Sequence, residues 1–344
     1  MATRMINIAF LGFGNVGQAL ARLLLRKREE LKTRYDVAFT VTGIATGQHG
    51  LAIDPGGIDL NRALAILPAG GSMDSLSTRP GISTKGDFIT SCGAGLLFES
   101  TPVNYSTGQP AVDYLRAALE HGMHTVSANK GPVVHAYREL TSLARAKRVK
   151  YYFESSVMDG APIFSLFRET LPGVTLRGFR GILNSTTNLI LGHMEAGESF
   201  AQAVAYAQSI GIAETDPSGD IDGWDAAVKV AALATVLMEV PLKPQEVDRT
   251  GIRGITPAEI APAQQAGMRW KLVCTARREG DRVTGRVAPE MVGADSPLYG
   301  VSGTSSIVQF ETDVLPGLSI VETNPSPETT AYGMLADFLN AVRD

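Results

Sequence analysis

Met5-Ile6-Asn7-Ile8-Ala9-Phe10-Leu11-Gly12-Phe13-Gly14-Asn15-Val16-Gly17 is the stretch that decides the fold. Residues 5–11 are mostly apolar and β-rich. Residues 18–30 then carry Leu20, Leu23 and Leu24 at helical spacing. Strand, glycine turn and helix form the context that a dinucleotide-binding fingerprint requires. In that motif Gly12 permits the tight turn, Gly14 lets backbone approach a pyrophosphate, and Gly17 lets helix pack closely on strand. Phe13, Asn15 and Val16 complete the turn, where the helix N-terminus offers free N–H groups and a positive dipole end. The bland alternative is a glycine turn of any α/β protein; the flanking strand and helix favour the cofactor reading.

Outward from this turn, strand and helix patterns alternate. Residues 39–45 read as a strand, 46–57 as a glycine-rich loop and 60–67 as a helix. Residues 93–99 read as a third strand, 110–121 as an amphipathic helix and 124–127 as a short strand. A helix over 137–148 and a strand over 150–153 follow. This is the rhythm of an α/β, Rossmann-type doubly wound parallel sheet, placed over residues 1–150. Beyond it the rhythm changes. Strands over 176–184, 283–292, 308–310 and 318–322, with helices over 201–209 and 224–240, indicate an α+β substrate domain over 151–322. The segment 323–344 holds a last amphipathic helix expected to pack back on the first domain.

The bulk composition agrees. A chain of 344 residues exceeds what one core usually holds, so two domains are expected. The net charge of −4 argues against general affinity for nucleic acid or anionic membrane. Only two cysteines occur, Cys92 and Cys274, spaced neither as a metal knuckle nor as a redox pair, and a reducing cytoplasm fits. Glycines interrupt the N-terminal apolar run, so it is no signal peptide, and the longest nearly apolar run, 230–238, is too short to span a bilayer.

Four further segments bear on chemistry. The end of the second strand reads Ala45-Thr46-Gly47-Gln48-His49. The carboxylate that usually holds a ribose 2′-hydroxyl is absent there, and so is an arginine, which leaves both NADP and NAD open. His49 is either a phosphate-facing group or a loop histidine. Ser127-Ala128-Asn129-Lys130-Gly131-Pro132 follows a predicted strand, where loops form the ligand crevice, and places the Lys130 ammonium there. From the residues alone, a solvated loop lysine is the better reading of it. Residues 211–225 contain five carboxylates: Glu214, Asp216, Asp220, Asp222 and Asp225. An acidic surface loop and a calcium site both remain open, although the EF-hand pattern is not matched. Lys229 follows Asp225 by four, on one helix face. From Ala226 to Met238 every residue except Lys229 and Thr235 is apolar, so the helix is expected to be buried. A buried lysine must be paired or have its pKa lowered, and a lowered pKa suits a general acid near neutrality.

Taken together, the motifs resemble the homoserine dehydrogenase family in its short form. They are Gly-Phe-Gly-Asn-Val-Gly (12–17), Glu-Ser-Thr-Pro (99–102), Ala-Asn-Lys-Gly-Pro (128–132), Phe-Glu-Ser-Ser-Val (153–157), Gly-Ile-Leu-Asn-Ser-Thr-Thr-Asn (181–188) and Glu-Thr-Asp-Pro…Asp…Asp-Ala-Ala-Val-Lys (214–229). The resemblance implies interconversion of L-aspartate 4-semialdehyde and L-homoserine with NADP or NAD. It implies that Lys229 donates a proton to the carbonyl oxygen, and that Lys130 stands at nicotinamide and substrate and shares in proton transfer. Glu214 and Asp225 would hold the substrate's amino group with Asp220 beside them, and Ser185 and Thr186 would border the substrate. Thr101 and Gly211 would contact the cofactor. Glu154 with the carbonyls of Val157, Asp159 and Ala161 would form a monovalent cation site for Na+ or K+. A homodimer through the second domain is implied too.

Three positions depart from the family pattern. Val157-Met158-Asp159-Gly160 replaces a glycine-rich run, Ser185 stands where glycine is usual, and Asn324-Pro325-Ser326-Pro327 replaces a glycine-rich turn. The chain ends after one helix, so no regulatory domain and no inhibition by threonine are expected. The competing readings are a related oxidoreductase acting on another amino-acid semialdehyde, and a nucleotide-binding sensor without turnover.

Overall fold

The computed structural model describes residues 3–343. The chain forms two compact units, Met1–Pro162 with Ser326–Asp344, and Ile163–Pro325.

The first unit runs β1 (Arg4–Leu11), α1 (Asn15–Tyr35), β2 (Val37–Ala45), β3 (Leu51–Ile53), α2 (Leu60–Ile66), α3 (Lys85–Ser91), β4 (Leu96–Glu99), α4 (Ala111–Glu120), β5 (His124–Ser127), α5 (Lys130–Lys147) and β6 (Tyr151–Tyr152). Its sheet has the order β3-β2-β1-β4-β5-β6. All pairs are parallel except β2 with β3. The order reverses between β1 and β4, the point where doubly wound folds bind ligands at the strands' carboxyl ends.

Two details differ from the sequence expectation. The region read as a loop over 46–57 contains β3, which pairs antiparallel with β2 through a turn closed by Gly50 at φ +72°. Three residues are too few to register a period of two. Helix α5 begins at Lys130 rather than at residue 137, because the Asn129 side chain caps it by accepting the Gly131 N–H at 2.9 Å. Pro132 is tolerated in the first turn, and a non-helical Ala136 breaks the periodicity that would have revealed the helix.

The second unit runs β7 (Leu176–Ile182), α6 (Ser185–Glu195), α7 (Phe200–Ser209), α8 (Ser218–Ile221), α9 (Trp224–Leu237), β8 (Asp248–Arg249), α10 (Pro257–Gln265), β9 (Arg269–Glu279), β10 (Arg282–Val292), β11 (Ser306–Thr312) and β12 (Leu318–Glu322). Its sheet has the order β12-β11-β7-β9-β10-β8 and is antiparallel apart from the β10–β8 pair. Strand β9 escaped the sequence reading because Arg277, Arg278 and Glu279 obscure its apolar alternation. Helix α6 escaped because it opens on polar Ser185-Thr186-Thr187-Asn188, of which all but Ser185 are buried. Helix α9 is buried as its composition demands, with Ala226 to Val228 and Val230 to Ala234 at most 1% exposed.

The last helix, α11 (Pro327–Val342), belongs to the first unit. Its Ala331, Met334, Leu335 and Phe338 join the core formed by β1, β2 and α1, and the Phe338 ring lies 5.8 Å from that of Phe98 on β4. The sequence expectation divided the chain at 150. The chain stays with the first unit through Pro162, since Ser155 donates to Thr330 O at 2.7 Å and the Glu154 N–H donates to Asp337 at 2.7 Å. Among the described residues no helix is long and apolar enough to cross a membrane.

Candidate active site

The first unit supplies a dinucleotide cradle. Gly12 has φ +100°, and a Cβ on it would lie 2.6 Å from Ser100 O. A Cβ on Gly17 would lie 2.5 Å from Gly12 O. Both positions therefore exclude any side chain. At Gly14 nothing lies within 4 Å of a Cβ, so the position is open to an approaching group. Gly14 is also the N-cap of α1, with no side-chain cap and no acidic residue in the first turn. The first N–H groups of α1 thus lack a side-chain acceptor and face the ligand-binding end of the sheet. Asn15 is exposed and Val16 partly so. Phe13 departs from a cofactor role for its side chain, because the ring is 2% exposed and packs edge-on against Phe10 at 5.4 Å. Only its main chain remains available to a ligand.

The ends of β4 and β5 lie beside this turn. Thr101 donates its N–H at 2.8 Å and its hydroxyl at 2.5 Å to Glu99 Oε1. Lys130 is the first residue of α5 and is partly exposed. The turn from β2 to β3 is closed by Thr46, whose hydroxyl donates to Gly50 O at 2.9 Å, and leaves His49 exposed.

In the second unit the acidic run separates into distinct environments. Lys229 Nζ donates to Leu183 O at 2.6 Å and lies 3.3 Å from Asp225 Oδ2, with the two side chains only 15% and 11% exposed. Asn184 caps α6 by accepting the Thr187 N–H at 2.8 Å. Its amide nitrogen donates to Asp220 Oδ1 at 2.7 Å and to Asp225 Oδ2 at 3.0 Å. Burial pushes the Asp220 carboxyl above its usual range and the neighbouring Asp225 pushes it further, while Asn184, Thr186 and Lys229 oppose the shift. Desolvation and the neighbouring Asp225 both disfavour the charged form of Asp220, a cost that a cationic ligand beside the pair would relieve. Ser185 begins α6 and is partly exposed, and Thr186 donates to Ile212 O at 3.4 Å.

The remaining acidic residues stay outside this cluster. Glu214 is exposed and joins none of its hydrogen bonds, and Asp216 is exposed. Asp222 pairs with Arg253. Among the described residues no three carboxylates converge as a metal cage would require. Gly211 is exposed at φ +75° just past α7.

Two residues went unassigned in the sequence reading. Asn184 was visible as an Asn-x-x-Thr helix start, but nothing nearby in sequence reveals its carboxylate partners. Glu99 ends an otherwise apolar strand, a placement that signals a paired buried acid.

Around Glu154 the chain makes a tight turn. Asp159 adopts φ +39°, the conformation a glycine would take, and its carboxylate accepts the Thr329 hydroxyl at 2.9 Å. Glu154, Val157 and Ala161 are buried.

A doubly wound unit with a glycine turn, joined in one chain to a paired lysine among carboxylates, defines an NAD(P)-dependent oxidoreductase. Comparison with known proteins specifies which. Residues 162–339 match the family model of homoserine dehydrogenase, and residues 12–154 match that of the homoserine dehydrogenase NAD-binding domain. An NAD(+)-dependent homoserine dehydrogenase of Pseudomonas canavaninivorans is 35% identical, covering 97% of this chain and 95% of its own. A homoserine dehydrogenase of Methanocaldococcus jannaschii is 36% identical, covering 97% and 98%. A hyperthermophilic archaeal homoserine dehydrogenase in complex with NADPH superposes with TM-score 0.82 at 28% identity, covering 98% of each chain. The chain belongs to the homoserine dehydrogenase family.

Proposed function

We infer that this protein interconverts L-homoserine and L-aspartate 4-semialdehyde, with NADP or NAD as the hydride carrier. The observation that carries the reading is Lys229, held by Leu183 O and Asp225 on a buried helix beside a second buried carboxylate. The bound dinucleotide supplies the hydride that the aldehyde carbon accepts. Gly12, Gly14 and Gly17, with the main chain of Phe13, Asn15 and Val16, receive its pyrophosphate, and Thr101, Lys130 and Gly211 line its remainder. Lys229 Nζ gives a proton to the carbonyl oxygen as the alcohol forms, and takes it back when homoserine is oxidised. Lys130 shares in that transfer. Asp220 and Asp225 hold the substrate ammonium, and Ser185 and Thr186 border it, while Glu214 lies outside that cluster. A lysine paired with a carboxylate stays fixed in one place, which general acid catalysis requires.

The test is an absorbance assay linked to NADP and to NAD, with L-homoserine and a panel of other hydroxy amino acids. Homoserine should be the best substrate. Turnover of another hydroxy amino acid without homoserine would overturn the substrate assignment, and binding of the dinucleotide without any turnover would mark a sensor.

Na+ or K+ completes the reading at Glu154 and the carbonyls of Val157, Asp159 and Ala161. The donors are all oxygen, which suits a hard cation, and Glu154 is buried. Replacing choline by K+ or Na+ should raise the melting temperature, and equal values in all three salts would remove the ion from the scheme. A homodimer through the second unit belongs to this reading as well; light scattering should give twice the mass of the 36.5 kDa chain.

A further inference from the structure

Glu99 is fully buried, yet four donors surround it. Thr101 N–H and Thr101 Oγ1 donate to Oε1 at 2.8 and 2.5 Å, and Asn129 Nδ2 donates to the same oxygen at 3.4 Å. Ser127 Oγ donates to Oε2 at 2.6 Å, directly across the parallel β4–β5 pair. The network closes on itself. Asn129 Nδ2 also donates to Thr101 O at 3.1 Å, and the Asn129 N–H donates to Ser127 Oγ at 3.0 Å. The Asn129 side-chain oxygen meanwhile accepts the Gly131 N–H and so starts α5 at Lys130.

We propose that Glu99 is a positioning residue for the reaction, fixing with one buried carboxylate both the loop that carries Thr101 and the helix start that carries Lys130. The proposal rests on the cofactor roles given above to Thr101 and Lys130. A purely structural tie between β4 and β5 needs no acid, since an apolar pair would join them without desolvating a carboxylate. Burial indeed pushes the Glu99 carboxyl up, against the pull of its four donors. Such a costly group is retained where its hydrogen bonds hold something in place. Its reach is specific: beyond the neighbouring strand residue Ser127, its donors are Thr101 and Asn129. A second contact couples the same two segments, because a Cβ on Gly131 would lie 2.9 Å from Gly108 Cα, past the end of the Thr101 loop.

The test compares Glu99→Gln, Glu99→Asp and Ser127→Ala with the parent. Glu99→Gln puts an amide N–H₂ against existing donors, and Ser127→Ala removes one donor while leaving the acid in place. NADPH affinity is read by fluorescence titration, which needs no turnover, and kcat and both KM values by the coupled assay. Glu99→Gln should weaken NADPH binding by about tenfold or more, the scale seen when a supporting group is lost. kcat should fall with it, while KM for homoserine moves by less than about threefold, since the second-unit cluster is untouched. Ser127→Ala and Glu99→Asp should show the same pattern to a smaller degree, and they carry the test if Glu99→Gln does not fold. Folded variants with parental NADPH affinity and kcat would overturn the proposal. So would a loss of active protein with both KM values and NADPH affinity unchanged. If the parent binds NADPH but does not oxidise homoserine, the functional reading fails while the titration still decides the role of Glu99.

Discussion

At the scale of single residues, the acidic run shows how burial divides groups that look alike in sequence. Asp220 and Asp225 are drawn together by Asn184, Asp222 is taken by Arg253, and Glu214 stays in solvent. Lys229 was legible because its partner lies four residues away and its neighbours are apolar. Lys229→Ala should lower turnover at least about a hundredfold, the usual scale of general acid–base catalysis. Steady-state kinetics with an NADPH titration checks this, and near-parental turnover would exclude the role. Asp220 yields a pH-dependent expectation. Its folded pKa lies above the unfolded value of about 3.9, so the folded state binds more protons and its stability falls as pH rises through that window. Above that window the desolvated Asp220, set beside Asp225, weakens the free protein. Asp220→Asn, which can still accept from Asn184, should raise the melting temperature at neutral pH, with the gain vanishing below about pH 3.9, while homoserine affinity drops. A lower melting temperature at neutral pH would contradict the sign.

At the scale of elements, the β1–α1 turn makes the same kind of separation among its glycines. Gly17→Ala drives a Cβ to 2.5 Å from Gly12 O and should destabilise the first unit as well as abolish NADPH binding. Gly14→Ala meets no protein atom within 4 Å, so the melting temperature should hold while NADPH affinity falls. Equal effects of the two substitutions on stability would refute this division of roles. The turn was readable because every requirement, the glycines with their flanking strand and helix, lies in one contiguous stretch of chain. The start of α5 was not readable, since its cap and proline imitate a loop and Ala136 interrupts its period. Nor was β3, whose three residues are specified by pairing with β2 and not by their own pattern.

At the scale of the whole chain, the first unit is completed by residues more than three hundred positions from its first strand. Phe338 is 0% exposed and packs on Phe98 of β4, the strand that ends in Glu99. Phe338→Ala should cost about 3–5 kcal/mol in denaturant unfolding and weaken NADPH binding with it. An effect below about 0.5 kcal/mol, the range of substitutions outside a packed core, would show that α11 contributes little to that core. The composition of residues 331–342 announces an amphipathic helix, but only the fold states which surface it covers.

The amino-acid order by itself determined whatever depends on neighbours along the chain. The glycine spacing of 12–17, the pairing of Asp225 with Lys229 and the apolar surroundings of that lysine are all local, and they pointed to a dinucleotide-dependent dehydrogenase. The tertiary structure decided which carboxylates meet, which one burial perturbs, and what holds Thr101 and Lys130 in place. Asn184 reaches Asp220 and Asp225 across 36 and 41 residues, and Glu99 reaches Ser127 across 28. Burial, electrostatic environment and hydrogen-bond partners are supplied by segments distant in sequence, so no local pattern can encode them.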